Sequence, residues 1–248
     1  MSAVTAPSAP GRRREAQGGP PLGWLAVIFT ALFAGGLIAS VIMASGKTFP
    51  SPFISGGDIA AYFRAHHDAV QVIAFSQLGT AVPLAIYAAT VSARLHNLGI
   101  RAPGATIAQV GGVLAAVWLG VSAMASWALS QPGVTTSAPL VRALQDVSFA
   151  AGGPGHVAGL GLLIAGIAVP GLLGRLIPRW LAIAGLVIAV ISEFSTLTLL
   201  VSGAAVLLPI GRFAGYAWLI AAGFLLPRTR ALAARPPEGA HPGPAGRQ

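Results

Sequence analysis

Three ionisable side chains stand inside long apolar runs of this 248-residue chain: His156, Glu193 and Arg212. A carboxylate in hydrocarbon costs about 2.5–3.5 kcal/mol even on lenient insertion scales, so Glu193 needs a reason to be there. Ser192, Ser195, Thr196 and Thr198 surround it and give its segment a polar patch. Two readings are open. Glu193 exchanges a proton or holds a cation, or it is a hydrogen-bonded group that locks helices together. A helical rise of about 1.5 Å per residue, counted from Trp180, places it near the bilayer midplane. Arg212 follows Pro209 closely. It either snorkels outward to headgroups, pairs with Glu193, or holds an anion. His156 lies beside a glycine cluster and reads as a hydrogen-bonded packing group or a proton relay. One intramembrane histidine cannot supply two facing haem ligands. Gln77, with Thr80 and Tyr87, and Gln109, with Gly112, Ser122 and Ser126, form polar stripes that should point inward. They could line a cavity or bond between helices. Glu193, Arg212, His156, Gln77 and Gln109 together make the candidate intramembrane polar site.

Several chemistries are excluded. There is no cysteine, hence no disulfide framework, thiolate metal site or cysteine nucleophile. His66, His67 and Asp68 are adjacent, and adjacent helical residues point about 100° apart, so they do not converge on one metal. The chain lacks HExxH, GxSxG and a Walker A loop. Asn97 is its only asparagine, so twin Asn-Pro-Ala loops of a water channel cannot exist. No catalytic set, cofactor site or metal site is expected.

The elements that must position these groups are membrane helices. Charged residues make up 8% of the chain, where a soluble domain carries about a quarter. Mean hydropathy is +0.77. Six windows are long enough to cross a bilayer: 21–45, 69–92, 104–129, 147–173, 180–202 and 206–227. The fold class expected is therefore all-α, a polytopic six-transmembrane-helix bundle in one domain over 21–227. A basic tail over 1–20 and a second tail over 228–248 are too rich in Pro, Gly and Ala to bury a core and are expected to be disordered. Asp58 should cap a short amphipathic helix bearing Ile59, Tyr62, Phe63 and His66, which could run into span two. Asp146 should cap span four. Gly152-Gly153-Pro154-Gly155 should kink or interrupt that span. Glycines of spans four and six supply smooth faces for helix contact.

Orientation follows from Lys and Arg. Eleven basic residues fall on the side of the termini and three, Lys47, Arg64 and Arg142, on the other. By the positive-inside rule both termini are cytoplasmic. This distribution reads as orientation and not as a nucleic-acid footprint, despite a net charge of +9. Fourteen of the 15 basic residues are Arg, and Ala, Gly and Pro abound, all with GC-rich codons. A bacterial cytoplasmic membrane is the expected location, with lipid as the surrounding partner and a helix-mediated homo-oligomer open.

The runs IPRWLAIAGLVIAVISE (177–193) and LPIGRFAGYAWLIAAGFLLP (208–227) resemble an uncharacterised bacterial six-span family, a domain of unknown function. The resemblance implies six helices and no established activity, and no functional residues carry over. The expected role is non-enzymatic. The alternative is a small-solute or proton-coupled transporter with Glu193 as its ionisable site.

Overall fold

The structure, a computed structural model, describes residues 19–228. The tails expected over 1–20 and 228–248 lie outside the described residues except at their inner ends. Every regular element among the described residues is helical. Helices α1 (Leu22–Met43), α3 (His67–Asn97) and α4 (Gly104–Leu129) are three of six apolar segments long enough to span a membrane. The fourth combines α6 (Ala138–Ala150), a π-helical turn (Ala151–Gly155) and α7 (His156–Leu173). The fifth is α8 (Arg179–Phe194) with a 3-10 turn to Leu199, and the sixth is α9 (Leu207–Leu225) after a second 3-10 turn. Two short helices, α2 (Gly56–Ala65) and α5 (Pro132–Thr135), lie between spans.

The spans pack as a closed ring in which α1 meets α3, α3 meets α4, α4 meets α7, α7 meets α8, α8 meets α9, and α9 returns to α1. Both described termini lie at one end, hereafter the terminal end. The loops carrying α2 and α5 lie at the other, the far end. In lipid no hydrophobic force drives apolar helices together, so contact relies on small residues that let backbones approach. The seam between α4 and α7 is built this way. A β-carbon on Gly159 would stand 2.5 Å from the Ala115 nitrogen, and Gly166 backs onto Ala108 with the same closeness. Gly223 of α9 meets Gly23 of α1, where a β-carbon would be 2.8 Å from backbone. The glycine faces expected from the sequence are these contacts.

The far end has a core of its own. Ile59 and Phe63 of α2, Val70 of α3, Leu129 of α4 and Val141 of α6 are buried together. Phe49 packs edge-on against Phe63 at 5.3 Å between ring centroids and so draws the loop after α1 into this cap. The cap of α2 is Ser55, not Asp58: the Asp58 N–H donates to Ser55 Oγ at 3.2 Å, and the Ser55 hydroxyl donates to the Asp58 carboxylate at 2.6 Å. A serine three residues before a carboxylate satisfies a free N–H and holds the acid at the positive helix end. The chain breaks at His66, with φ −130°, so α2 does not continue into α3. Asp146 caps nothing. It sits inside α6, which starts nine residues before the expected span and pairs Arg142 with Asp146 at 3.1 Å, one turn apart.

Candidate functional site

At the far end, between α1, α3, α4, α6 and α9, lies a cavity of about 340 Å³. Its roof is the loop Phe49–Phe53. Two bonds from α6 hold that loop down. Gln145 donates through Nε2 to the Pro50 carbonyl at 2.8 Å, and Arg142 donates to the Ile54 carbonyl at 3.0 Å. Phe53 closes one side by stacking edge-on against Phe149 at 5.7 Å. The walls are otherwise apolar, with Leu37, Ile73 and Leu208 facing in.

Arg212 stands in the cavity wall one and a half turns into α9. Its guanidinium donates through Nη2 to the Gly152 carbonyl and lies 5.1 Å from the centre of the Phe33 ring. The π-helical turn explains why that carbonyl faces the cavity. In the wider turn of Ala151–Gly155 the His156 N–H bonds the carbonyls of Ala151 and Gly153 and not that of Gly152, its usual α-helical partner. The interruption expected at Gly152–Gly155 is thus present, and it borders the cavity. The second nitrogen face of Arg212 is unfilled: Nε is buried and has no partner.

Two more buried atoms on the cavity lining lack partners, Oε1 of Gln77 and Oε1 of Gln145. Gln145 is only 1% exposed, so water outside the protein does not satisfy it. A buried unsatisfied polar group costs about 1–3 kcal/mol, and three share one cavity. The polar wall beside them is complete. Ser122 donates to the Ser148 carbonyl at 2.9 Å, and the Ser126 and Ser148 hydroxyls bond each other at 2.9 Å. The cavity is thus lined by Arg212, by Gln77 and Gln145, by a closed serine patch and by a larger apolar surface.

His156 forms the floor below. It is fully buried, with Nδ1 at 2.8 Å from the Ala115 carbonyl and Nε2 at 2.8 Å from the Tyr216 hydroxyl. A carbonyl only accepts, so Nδ1 carries the proton and Tyr216 donates to Nε2. Both ring nitrogens are used. Tyr216 in turn packs against Phe29 and Phe33 at 5.4 and 5.6 Å.

The five sequence candidates do not form one site. Arg212 and Gln77 line the cavity, His156 lies beneath it, and Gln109 and Glu193 are elsewhere. Gln109 does not point inward; it is on the exposed side of α4 near the terminal end and accepts from the Ser92 hydroxyl at 3.2 Å. Glu193 is exposed in the last turn of α8, about 21 Å along the axis from Arg179. Its carboxylate lies over Gly161 of α7 and pairs with no cation among the described residues. α-Helical geometry stops one residue later, at Phe194. Hydroxyls of Ser192, Ser195 and Thr196 bond carbonyls three or four residues back, and the chain tightens into 3-10 turns. Pairing of Glu193 with Arg212 does not occur, since Arg212 turns to the opposite face toward Phe33 and Gly152.

Gln145, Ser148 and the Phe49–Phe53 loop were not among the sequence candidates. The available signal was Pro139 two residues after Ser137, a pattern that opens a helix well before the apolar window. Neither protein families, curated proteins nor solved structures yield a match to this chain.

Proposed function

We propose that this membrane protein binds a small amphipathic acid in the far-end cavity. The observation that carries the reading is that three residues with an unpartnered polar atom, Arg212, Gln77 and Gln145, line one largely apolar cavity. A carboxylate fits the free face of the guanidinium, which matches it in geometry and charge. A hydroxyl or amine on the same ligand fits the two glutamine oxygens. An apolar body fits the phenylalanine-rich walls and roof. Among the described residues that line the cavity, Arg212 is the one ionisable side chain, which supports binding as the role.

Solute transport is the second reading, and the interrupted helix favours it. Broken helices that border a binding site are a recurring part of transporters. In that case Arg212 and not Glu193 is the residue around which the solute moves.

We infer also that both termini face the cytoplasm, because basic residues crowd the terminal end. The cavity then opens to the outside of a bacterial cytoplasmic membrane. Reporter fusions at Gly57 and Pro132 should read outside, and those at Asn97 and Arg175 inside. The likeness of 177–193 and 208–227 to the six-span family of unknown function belongs to the same proposal.

The test is calorimetric titration of the full chain in lipid nanodiscs. Three probes separate the contributions: 3-phenyllactate, with ring, carboxylate and hydroxyl; 3-phenylpropionate, without the hydroxyl; and 3-phenylpropanol, without the charge. The order of affinity expected is that order, with Arg212→Gln weakening the first by about tenfold or more. Equal binding of the alcohol and the hydroxy acid would overturn the reading.

A further inference from the structure

We propose a second site, at the terminal end, that clamps the phosphate of an anionic phospholipid headgroup between Arg94 and Arg228. It does not depend on the far-end cavity. Arg94 lies in the last turn of α3 and is only 5% exposed. Buried arginines are ordinarily paired, because taking an isolated charge out of water is costly. No carboxylate among the described residues pairs with this one. The two ion pairs among the described residues, His67–Asp68 and Arg142–Asp146, are both at the far end. The Arg94 guanidinium also makes no hydrogen bond to another described residue. A second cation, Arg228, lines the same two cavities, of about 260 and 270 Å³. Carbonyls at the end of α3 offset part of the charge of Arg94. They do nothing for a second arginine beside it. Two arginines that share cavities and have no counter-charge among the described residues call for an anion.

The surroundings select the kind of anion. The smaller cavity is polar on one side, where Thr90 and Asn97 line it. The other is flanked by Trp24 and Phe224, which pack edge-on at 5.9 Å and are both more than half exposed. The pair of cavities thus joins a cationic niche to an apolar, outward-facing cleft between α1 and α9. A phosphodiester fits the fork of a guanidinium, and the cleft accommodates the start of an acyl chain. The last turn of a spanning helix is also the depth at which headgroup phosphates lie. Basic pockets between spans are a recognised form of anionic-lipid site. In the sequence Arg94 served only as a loop charge for orientation. The structure instead buries it between helices.

The experiment follows thermal unfolding of the full chain in neutral detergent during titration with phosphatidylglycerol, phosphatidylcholine or inorganic phosphate. Phosphatidylglycerol should raise the midpoint, and phosphatidylcholine should not. Arg228→Gln, an exposed position that leaves the fold intact, should need about fivefold more phosphatidylglycerol for the same rise. Arg94→Lys keeps the charge but loses the fork and should weaken the response similarly. Arg101→Gln, exposed at the same end, should leave it unchanged. An equal rise with inorganic phosphate would overturn the lipid assignment and leave a free-anion site. An equal rise with phosphatidylcholine, or an undiminished response in Arg228→Gln, would overturn the site itself.

Discussion

The α4–α7 seam and the far-end cavity share helix α4, yet they follow opposite rules. Along the seam, glycine lets backbones touch and every buried polar side chain has a partner; His156 uses both ring nitrogens. No unpartnered buried side-chain atom belongs to α4 or α7. Eleven residues before His156, Gln145, with Gln77 and Arg212 beside it on the cavity lining, leaves a polar atom unpartnered. Three of the eight unpartnered buried atoms among the described residues belong to Gln77, Gln145 and Arg212, which line this one cavity. That contrast, more than any one residue, points to the cavity as the functional part of the bundle.

The largest effect that could break the contrast is at the seam. Gly159→Leu should cost about 3 kcal/mol or more, since the new side chain meets the Ala115 backbone, which cannot move aside. Gly35→Leu, which meets nothing within 4 Å, should change stability by less than about 0.5 kcal/mol. Thermal unfolding in detergent measures both. Next comes His156→Phe, which strands the Ala115 carbonyl and the Tyr216 hydroxyl and should cost about 2–3 kcal/mol. In the cavity the sign softens. Gln145→Leu loses the bond to the Pro50 carbonyl but also removes an unpartnered oxygen, so stability should stay within about 1 kcal/mol while 3-phenyllactate binding falls.

A smaller effect separates Glu193 from the cavity. In a double-mutant cycle, Glu193→Gln and Arg212→Gln should add, with a coupling below about 0.5 kcal/mol. A larger coupling would restore the pairing that the structure does not show. The smallest effect is at the far-end cap. Burial pushes the Tyr62 hydroxyl above its ordinary value of 10.0. Its contribution is therefore fully present below pH 10 and fades as pH climbs through the raised value. Alkaline pH should loosen the cap slightly, and Tyr62→Phe should abolish that slope in a pH series of unfolding midpoints.

Six spans were legible because hydropathy and length are properties of composition, and lipid permits little besides helices. The glycine contacts were legible for the same reason. The site was half legible. Arg212 and Gln77 stand out as polar residues in apolar runs, and they do line the cavity. Glu193 stands out equally, yet it lies outside the cavity, over Gly161 of α7, because hydropathy does not say which neighbour a given helix face meets. Gln145 was invisible for the converse reason. It lies in an amphipathic helix outside the apolar window, and a loop from the other end of the sequence buries it.

The most direct measurement uses the absence of cysteine, which makes any introduced thiol the only one. Gln77→Cys faces the cavity; Thr80→Cys, about one turn deeper in α3, replaces a fully buried residue. With a membrane-impermeant thiol reagent, Gln77→Cys should react roughly tenfold faster or more than Thr80→Cys, and 3-phenyllactate should slow it. Equal, slow labelling at both positions would mean that the cavity is sealed from water, and a solute-binding role for this end of the bundle would be contradicted.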